Sequence, residues 1–329
     1  MLPRLVAAVL AGCLLAASAQ QELPFPQRGP IEMTVLFPAG SSADITARLL
    51  ADGIARQLPA NVLVINRPGA GGAVGYRHVA AQKPDGYSLV WNSNSVSTAY
   101  HSGQMPIDYR AFDPVARVLM ESPVLAVRGD ARWKTLADFL AEARARPGVL
   151  TVANSGAGSH THISSVALFK AAGVVVVDVP YPAAQVMPSL LGSHVDAVLQ
   201  LPATLADLVK SGQVRVLAAL VERRDPALPE VPTAREQGVD VALDAWRGIA
   251  VPKGTPKRVI ASLEAAIRRT VETPEFAAAC DRLGVHPAFL PADAFGELMA
   301  REDVQLAGLM QVIGLKKEVV PPDGAQRQR

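Results

Sequence analysis

Cysteine is nearly absent from this chain: 329 residues contain two, Cys13 and Cys280. If the first nineteen residues are a cleaved leader, Cys280 alone remains. No disulfide can then form within a monomer, so oxidation contributes nothing to its stability. Aromatic residues make up only 5% and the formal net charge is +2. No run of like charges and no basic stripe interleaved with aromatics occurs, which excludes a nucleic-acid partner. After the N-terminus no apolar run reaches membrane-spanning length. The phosphate-loop pattern G-x-x-x-x-G-K-[ST] and the nucleophile elbow G-x-S-x-G are both missing. No cluster of Cys, His and acidic residues has metal-ligand spacing. Neither a metal nor a cofactor is expected.

The N-terminus is present and informative. Arg4 precedes an apolar run, Leu5 to Ala17, broken only by Gly12 and Cys13, and Ala17-Ser18-Ala19 supplies small residues before a cleavage point. This is a secretory signal over residues 1–19, and it predicts a periplasmic protein. Leu10-Ala11-Gly12-Cys13 also fits a lipobox, which would leave a lipid anchor on Cys13. The apolar run continuing past the cysteine favours the cleaved signal. About 310 residues remain, enough for one large or two medium domains. Half of all residues are hydrophobic, which makes a packed core easy to build.

The richest local feature is a strand, Thr34–Phe37, that runs into Pro38-Ala39-Gly40-Ser41-Ser42-Ala43-Asp44 and then a helical pattern. The Ser/Asp cluster is a helix N-cap signature. Such a junction leaves backbone N–H groups unpaired at the positive end of a helix dipole, ready for an anion. A second copy follows midway: Val152–Asn154, then Ser155-Gly156-Ala157-Gly158-Ser159-His160-Thr161, then another helix. Neither loop holds Lys or Arg, which favours a carboxylate over a phosphate. Two such loops on different domains would face each other across a cleft. The rest of the body alternates strand and helix patterns, predicting an α/β fold with mostly parallel sheets flanked by helices. Ligands in such folds sit at the carboxyl ends of strands.

Other motifs carry plainer readings. Gly69-Ala70-Gly71-Gly72 resembles a dinucleotide fingerprint, but Val74 stands where the third glycine belongs, so a turn and helix entry is predicted. His160 and His162 lie two apart at a helix start and point in different directions, which disfavours a shared metal. Ser159 and His160 are adjacent, a spacing that rarely forms a nucleophile–base pair. Asp44 in a first helical turn caps backbone N–H groups. Cys280 reads as a small buried residue.

Many short motifs in order give the chain its resemblance to one family. They are Phe37-Pro38-Ala39-Gly40 with Asp44, Asn66-Arg67-Pro68-Gly69, Pro84-Asp85-Gly86-Tyr87, Ser155–His160, Val179-Pro180-Tyr181, Leu228–Thr233 and Val251–Pro256. These resemble the substrate-binding proteins of tripartite tricarboxylate transporters, the Bug family of periplasmic solute receptors. The resemblance implies a two-domain venus-flytrap, an α/β periplasmic binding protein. Domain one then covers 30–125 and 241–329, and domain two covers 126–240. It also implies a small carboxylate ligand gripped by the two loops: Phe37, Ala39, Gly40, Ser41, Ser42 and Asp44 from one, and Ser155, Gly156, Gly158, Ser159 and His160 from the other. Ser93 and Asn94 at a third strand end, Tyr181 and Gln200 complete the rim, and Trp246 packs against the ligand or the hinge. The chain departs from the family pattern at Ser41 (usually Gly), Pro182 (usually Lys) and Gln200 (often Asp).

The function expected is therefore a monomeric, non-catalytic receptor that delivers its solute to a tripartite tricarboxylate-type membrane permease. A receptor reporting to a membrane sensor kinase is an alternative output. An exported α/β hydrolase using Ser159 or Ser41 is the alternative chemistry.

Overall fold

A computed structural model describes residues 24–226 and 228–317. The leader, with Cys13, lies outside them. Two sheets organise the chain. The first has the order β11-β4-β10-β3-β1-β2 and the second β7-β6-β8-β5-β9. The first sheet's strands are β1 (Ile31–Val35), β2 (Val62–Asn66), β3 (Ser88–Ser93), β4 (Phe112–Glu121), β10 (Ala245–Pro252) and β11 (His286–Pro291). The second sheet comprises β5 (Val124–Arg128), β6 (Thr151–Asn154), β7 (Val177–Pro180), β8 (Ala197–Gln200) and β9 (Val214–Ala219).

Both sheets are mixed, not mostly parallel as expected. β1 pairs in parallel with β2 and β3, but β10 runs antiparallel to both β3 and β4. In the second sheet β5 is antiparallel to β8 and β9. The cause is the connectivity. The chain leaves the first sheet along β4, enters the second along β5, and returns along β10. β5 and β10, the strands by which the chain enters a sheet from the other lobe, run against the βα strands, whereas β4, by which it leaves, runs with them.

Two strands and a helix were not legible in the sequence. β4 carries Pro114 and β11 carries Pro287, and interior prolines argue against a strand. Each is accommodated at a register irregularity: Pro114 faces Ala250 beside the shift in β10, and Pro287 borders the shift in β11. The helix Ser95–His101 follows β3 with almost no connection.

The remaining helices bear on the site through their N-termini. α1 (Ser42–Gln57) follows β1, and α2 (Ala73–Ala80) follows β2. α3 is Ser95–His101, α4 is Leu136–Ala145, α5 (His160–Ala171) follows β6, and α6 (Ala183–Leu191) follows β7. α1 buries Ala43, Ala47, Leu50 and Ile54 at spacings of three and four, one apolar stripe against the first core with Ile31, Met33 and Trp91. α5 is buried nearly all round, including Ile163, Ser164, Ser165, Ala167 and Leu168, because it lies between the lobes. After α7 (Ala206–Lys210), α8 (Lys257–Val271) and α9 (Pro274–Leu283), the final helix α10 (Ala292–Ile313) ties the lobes together. Phe295 and Met299 pack with Trp246, while Leu309 and Ile313 pack on the second lobe's core.

Candidate functional site

The two Gly/Ser loops are conformational copies. Gly40 and Gly158 sit at φ +77° and +78°, a region open to glycine at little cost. The next residues, Ser41 and Ser159, are N-caps with φ/ψ of −73°/159° and −71°/159°. Ser41 Oγ accepts from the Asp44 amide at 3.3 Å, and Ser159 Oγ from the His162 amide at 3.2 Å. Each loop also closes on itself: Gly40 N–H donates to Asp44 Oδ2 at 3.0 Å, and Gly158 N–H to His162 Nδ1 at 3.2 Å. Asp44 and His162 thus do the same job. The sequence hid this, because a carboxylate and an imidazole share no appearance beyond an acceptor atom.

This wiring leaves the amides of Ser42 and Ala43 on α1, and of His160 and Thr161 on α5, without a hydrogen-bond partner among the described residues. All four residues line one small cavity between the lobes. Two helix dipoles therefore present their positive ends to the same space. Ser41, Ser93, Ser155 and Ser159 add hydroxyl groups, Gln200 an amide, and Phe37 an apolar wall.

The cavity also holds a cation that the sequence reading missed. Arg247 on β10, opposite Ser93 in the ladder, is 4% exposed and lines the cavity. Its Nε donates to Glu121 Oε2 at 2.8 Å. Glu121, 1% exposed, accepts the Ser42 hydroxyl on its other oxygen. The terminal guanidinium nitrogens of Arg247 have no partner among the described residues. Guanidinium N–H groups left free at a cavity wall can take an acceptor from it, and a carboxylate offers the matching fork.

A sequence profile of the tripartite tricarboxylate transporter family receptor matches residues 46–315. The chain belongs to this family. The periplasmic binding protein BugD superposes with a TM-score of 0.83 at 30% identity, covering 88% of this chain and 99% of BugD. MatC from Rhodopseudomonas palustris with bound malate gives a TM-score of 0.80 at 25% identity, over 86% of this chain and 99% of MatC. A TctC solute-binding protein from Polaromonas without ligand is 34% identical but gives 0.66, over 88% and 99%. The family is one of solute receptors, and the two-lobed periplasmic binding fold is shared.

Within this receptor the expected site residues separate into groups. Phe37, Ser41, Ser42, Ser93, Asn94, Ser155, Ser159, His160 and Gln200 line the cavity. Gly156 and Tyr181 line an adjoining cleft, which shares Phe37 and Ser155 with it. Ala39, Gly40, Asp44 and Gly158 line neither. Gly40 and Gly158 shape the loops. Ala39 is exposed. Asp44 points away from the cavity to Arg48 Nε at 3.1 Å and Asn66 Nδ2 at 2.9 Å. Burial raises its pKa, but bonds from Arg48, Gly40 and Asn66 outweigh this and hold it below the usual value. Trp246 does not reach the cavity either. It stacks edge-on against Phe295 at 5.0 Å and donates to Glu302. Asn94 spends both polar ends on the structure behind it, accepting from Trp246 N–H at 2.9 Å and donating to Glu302 at 2.7 Å. Ser159 Oγ and His160 are not hydrogen-bonded to each other. The hydroxyl caps α5, and His160 Nδ1 lies 3.4 Å from Ser164 Oγ.

Two buried groups here titrate in opposite senses. Burial, reinforced by the Arg247 charge, pushes the His160 pKa down to about 4. Burial pushes Glu302 up to about 7, against hydrogen bonds from Trp246 and Asn94. For His160 the neutral form is favoured on folding, so its stabilisation is present above 6.5 and lost as pH falls toward 4. For Glu302 the protonated form is favoured, so its stabilisation is present below 4.5 and lost as pH rises through 7. Each carries up to about 3 kcal/mol, and between pH 4.5 and 6.5 the two oppose each other. Relative to the parent chain, His160→Gln should gain stability on going from pH 7 to 4.5. Glu302→Gln should gain it on going from pH 5 to 8. Urea unfolding midpoints across that range test both signs.

Proposed function

We propose that this protein captures a small organic carboxylate in the periplasm and hands it to a membrane permease of the tripartite tricarboxylate type. The observation that carries the reading is the convergence of unpaired amides from two helix N-termini and the free end of Arg247 on one cavity between the lobes. The site is built of preorganised donors. It holds the Ser159 hydroxyl and the His160 ring out of hydrogen-bonding contact, so these two do not form a nucleophile–base pair. Residues 1–19 act as the export signal under this reading, with cleavage after Ala19. The lobe boundaries stay near 125 and 240, supported by the change of sheet between β4 and β5 and again between β9 and β10. MatC, with malate bound, is similar enough in fold to make a carboxylate the first class to test.

A carboxylate panel should raise the melting temperature of residues 20–329 with at least one member, since a ligand bound to the native state alone stabilises it by mass action. Mass spectrometry should recover that ligand unchanged. Turnover that disappears in Ser159→Ala would replace the receptor with a hydrolase.

A further inference from the structure

The solute cavity adjoins two other spaces, and their charges differ. On one side the cavity's mouth opens into a cleft between the lobes, joined to it through Phe37, Ser155 and Ala183. It continues past Pro68, Ala157, Tyr181 and Pro182. Among the described residues, none that lines this mouth carries a formal charge. Arg77 does not line it; its Nη1 donates to the Gln104 carbonyl at 3.1 Å. On the other side, through Asn94 and His160, lies a chamber lined by Glu222, Asp240, Asp244 and Glu302. The one cation among the described residues that line it, Arg235, is bridged to both Glu222 and Asp240.

The positive charge available inside the cavity itself is limited. Arg247 is compensated by Glu121. The two helix N-termini together supply roughly one unit of positive charge. That matches one carboxylate. A second carboxylate at the far end of the solute would lie in an uncharged mouth or against an acidic chamber. Burying an anion with no partner is costly. The mouth's walls are instead suited to apolar surface: a phenyl ring, a phenol ring and prolines.

We infer that the solute is a monocarboxylate whose uncharged, largely apolar body occupies the mouth between Phe37 and Tyr181. This rests on the receptor reading and narrows it. It also gives Pro182 a meaning. The position is exposed, immediately precedes α6, and puts a neutral ring where a basic side chain would have welcomed a distal acid.

Matched acids test the inference by calorimetry on residues 20–329. Butanoate is paired with succinate and hexanoate with adipate, so each pair differs by a methyl or a carboxylate at the far end. 3-Phenylpropanoate adds a bulky uncharged body. Each monocarboxylate should bind roughly 30-fold or more tightly than its diacid, and 3-phenylpropanoate at least as tightly as hexanoate. Pro182→Lys should shift the hexanoate-to-adipate ratio toward adipate by about five- to tenfold. Diacids binding as tightly as their partners would overturn the inference and leave the receptor reading standing. Binding of none of the five at millimolar concentration would also overturn it, while the receptor reading is judged separately on the wider panel.

Discussion

Arg247→Met should lower solute affinity by at least about 100-fold, the scale of losing charge-assisted hydrogen bonds to a buried carboxylate. It should also destabilise the protein. Glu121 is 1% exposed and would keep only the Ser42 hydroxyl as a partner. Stranding one member of a buried ion pair costs about 3–5 kcal/mol. The two losses separate in the double variant Arg247→Met/Glu121→Gln. Removing the orphaned charge should restore more than half of the stability in urea unfolding, and none of the binding. Wild-type affinity in Arg247→Met would show that the guanidinium does not meet the solute. Unchanged stability would show that Glu121 finds another partner or takes up a proton.

Gly158→Val should weaken binding by about 10- to 100-fold, through the approach of the lobes. Gly158 is at φ +78°, and a Cβ there would lie 2.8 Å from Ser102 Oγ and 3.3 Å from Gln104 Cγ, both across the cleft. Opposite it, a Cβ on Gly71 would fall 3.0 Å from the Gly158 carbonyl carbon. The lobes therefore meet through bare backbone. Gly40→Val is the internal control. Its φ of +77° imposes the same backbone strain of about 1–2 kcal/mol, but nothing lies within 4 Å of the added carbon. The two variants should lose similar stability, and Gly158→Val should bind about tenfold worse than Gly40→Val. Small-angle scattering adds a second readout: solute should compact the parent and Gly40→Val, and should fail to compact Gly158→Val. Equal binding by both variants would reduce the glycines to loop geometry alone.

The helix N-termini were legible because capping is local. Ser41 and Ser159 announce themselves within a few residues of the apolar run they precede, and the physics that makes them caps acts over that distance. The repeat of the loop was legible for the same reason. His162 was not, because its equivalence to Asp44 lies in where an acceptor atom points. β4 and β11 were hidden by prolines that a strand tolerates at a sheet edge or an irregular register, and both are properties of the assembled sheet. Arg247 was hidden most completely. It lies in a strand that reads as plain core, and nothing near it in sequence signals that β10 lies between β3 and β4 with Glu121 alongside.

What the sequence determined by itself is therefore the set of local devices: the paired loops with their free amides, the alternation of strands and helices, and the family to which these belong. The tertiary structure decided which of those residues share a space. It turned Asp44 away to brace its loop, drew Trp246 onto the final helix, and brought Arg247 to the two helix ends. The reason is physical. Caps and turns are fixed by bonds between near neighbours in the chain, whereas the charge of a cavity is the sum over side chains that only folding brings together.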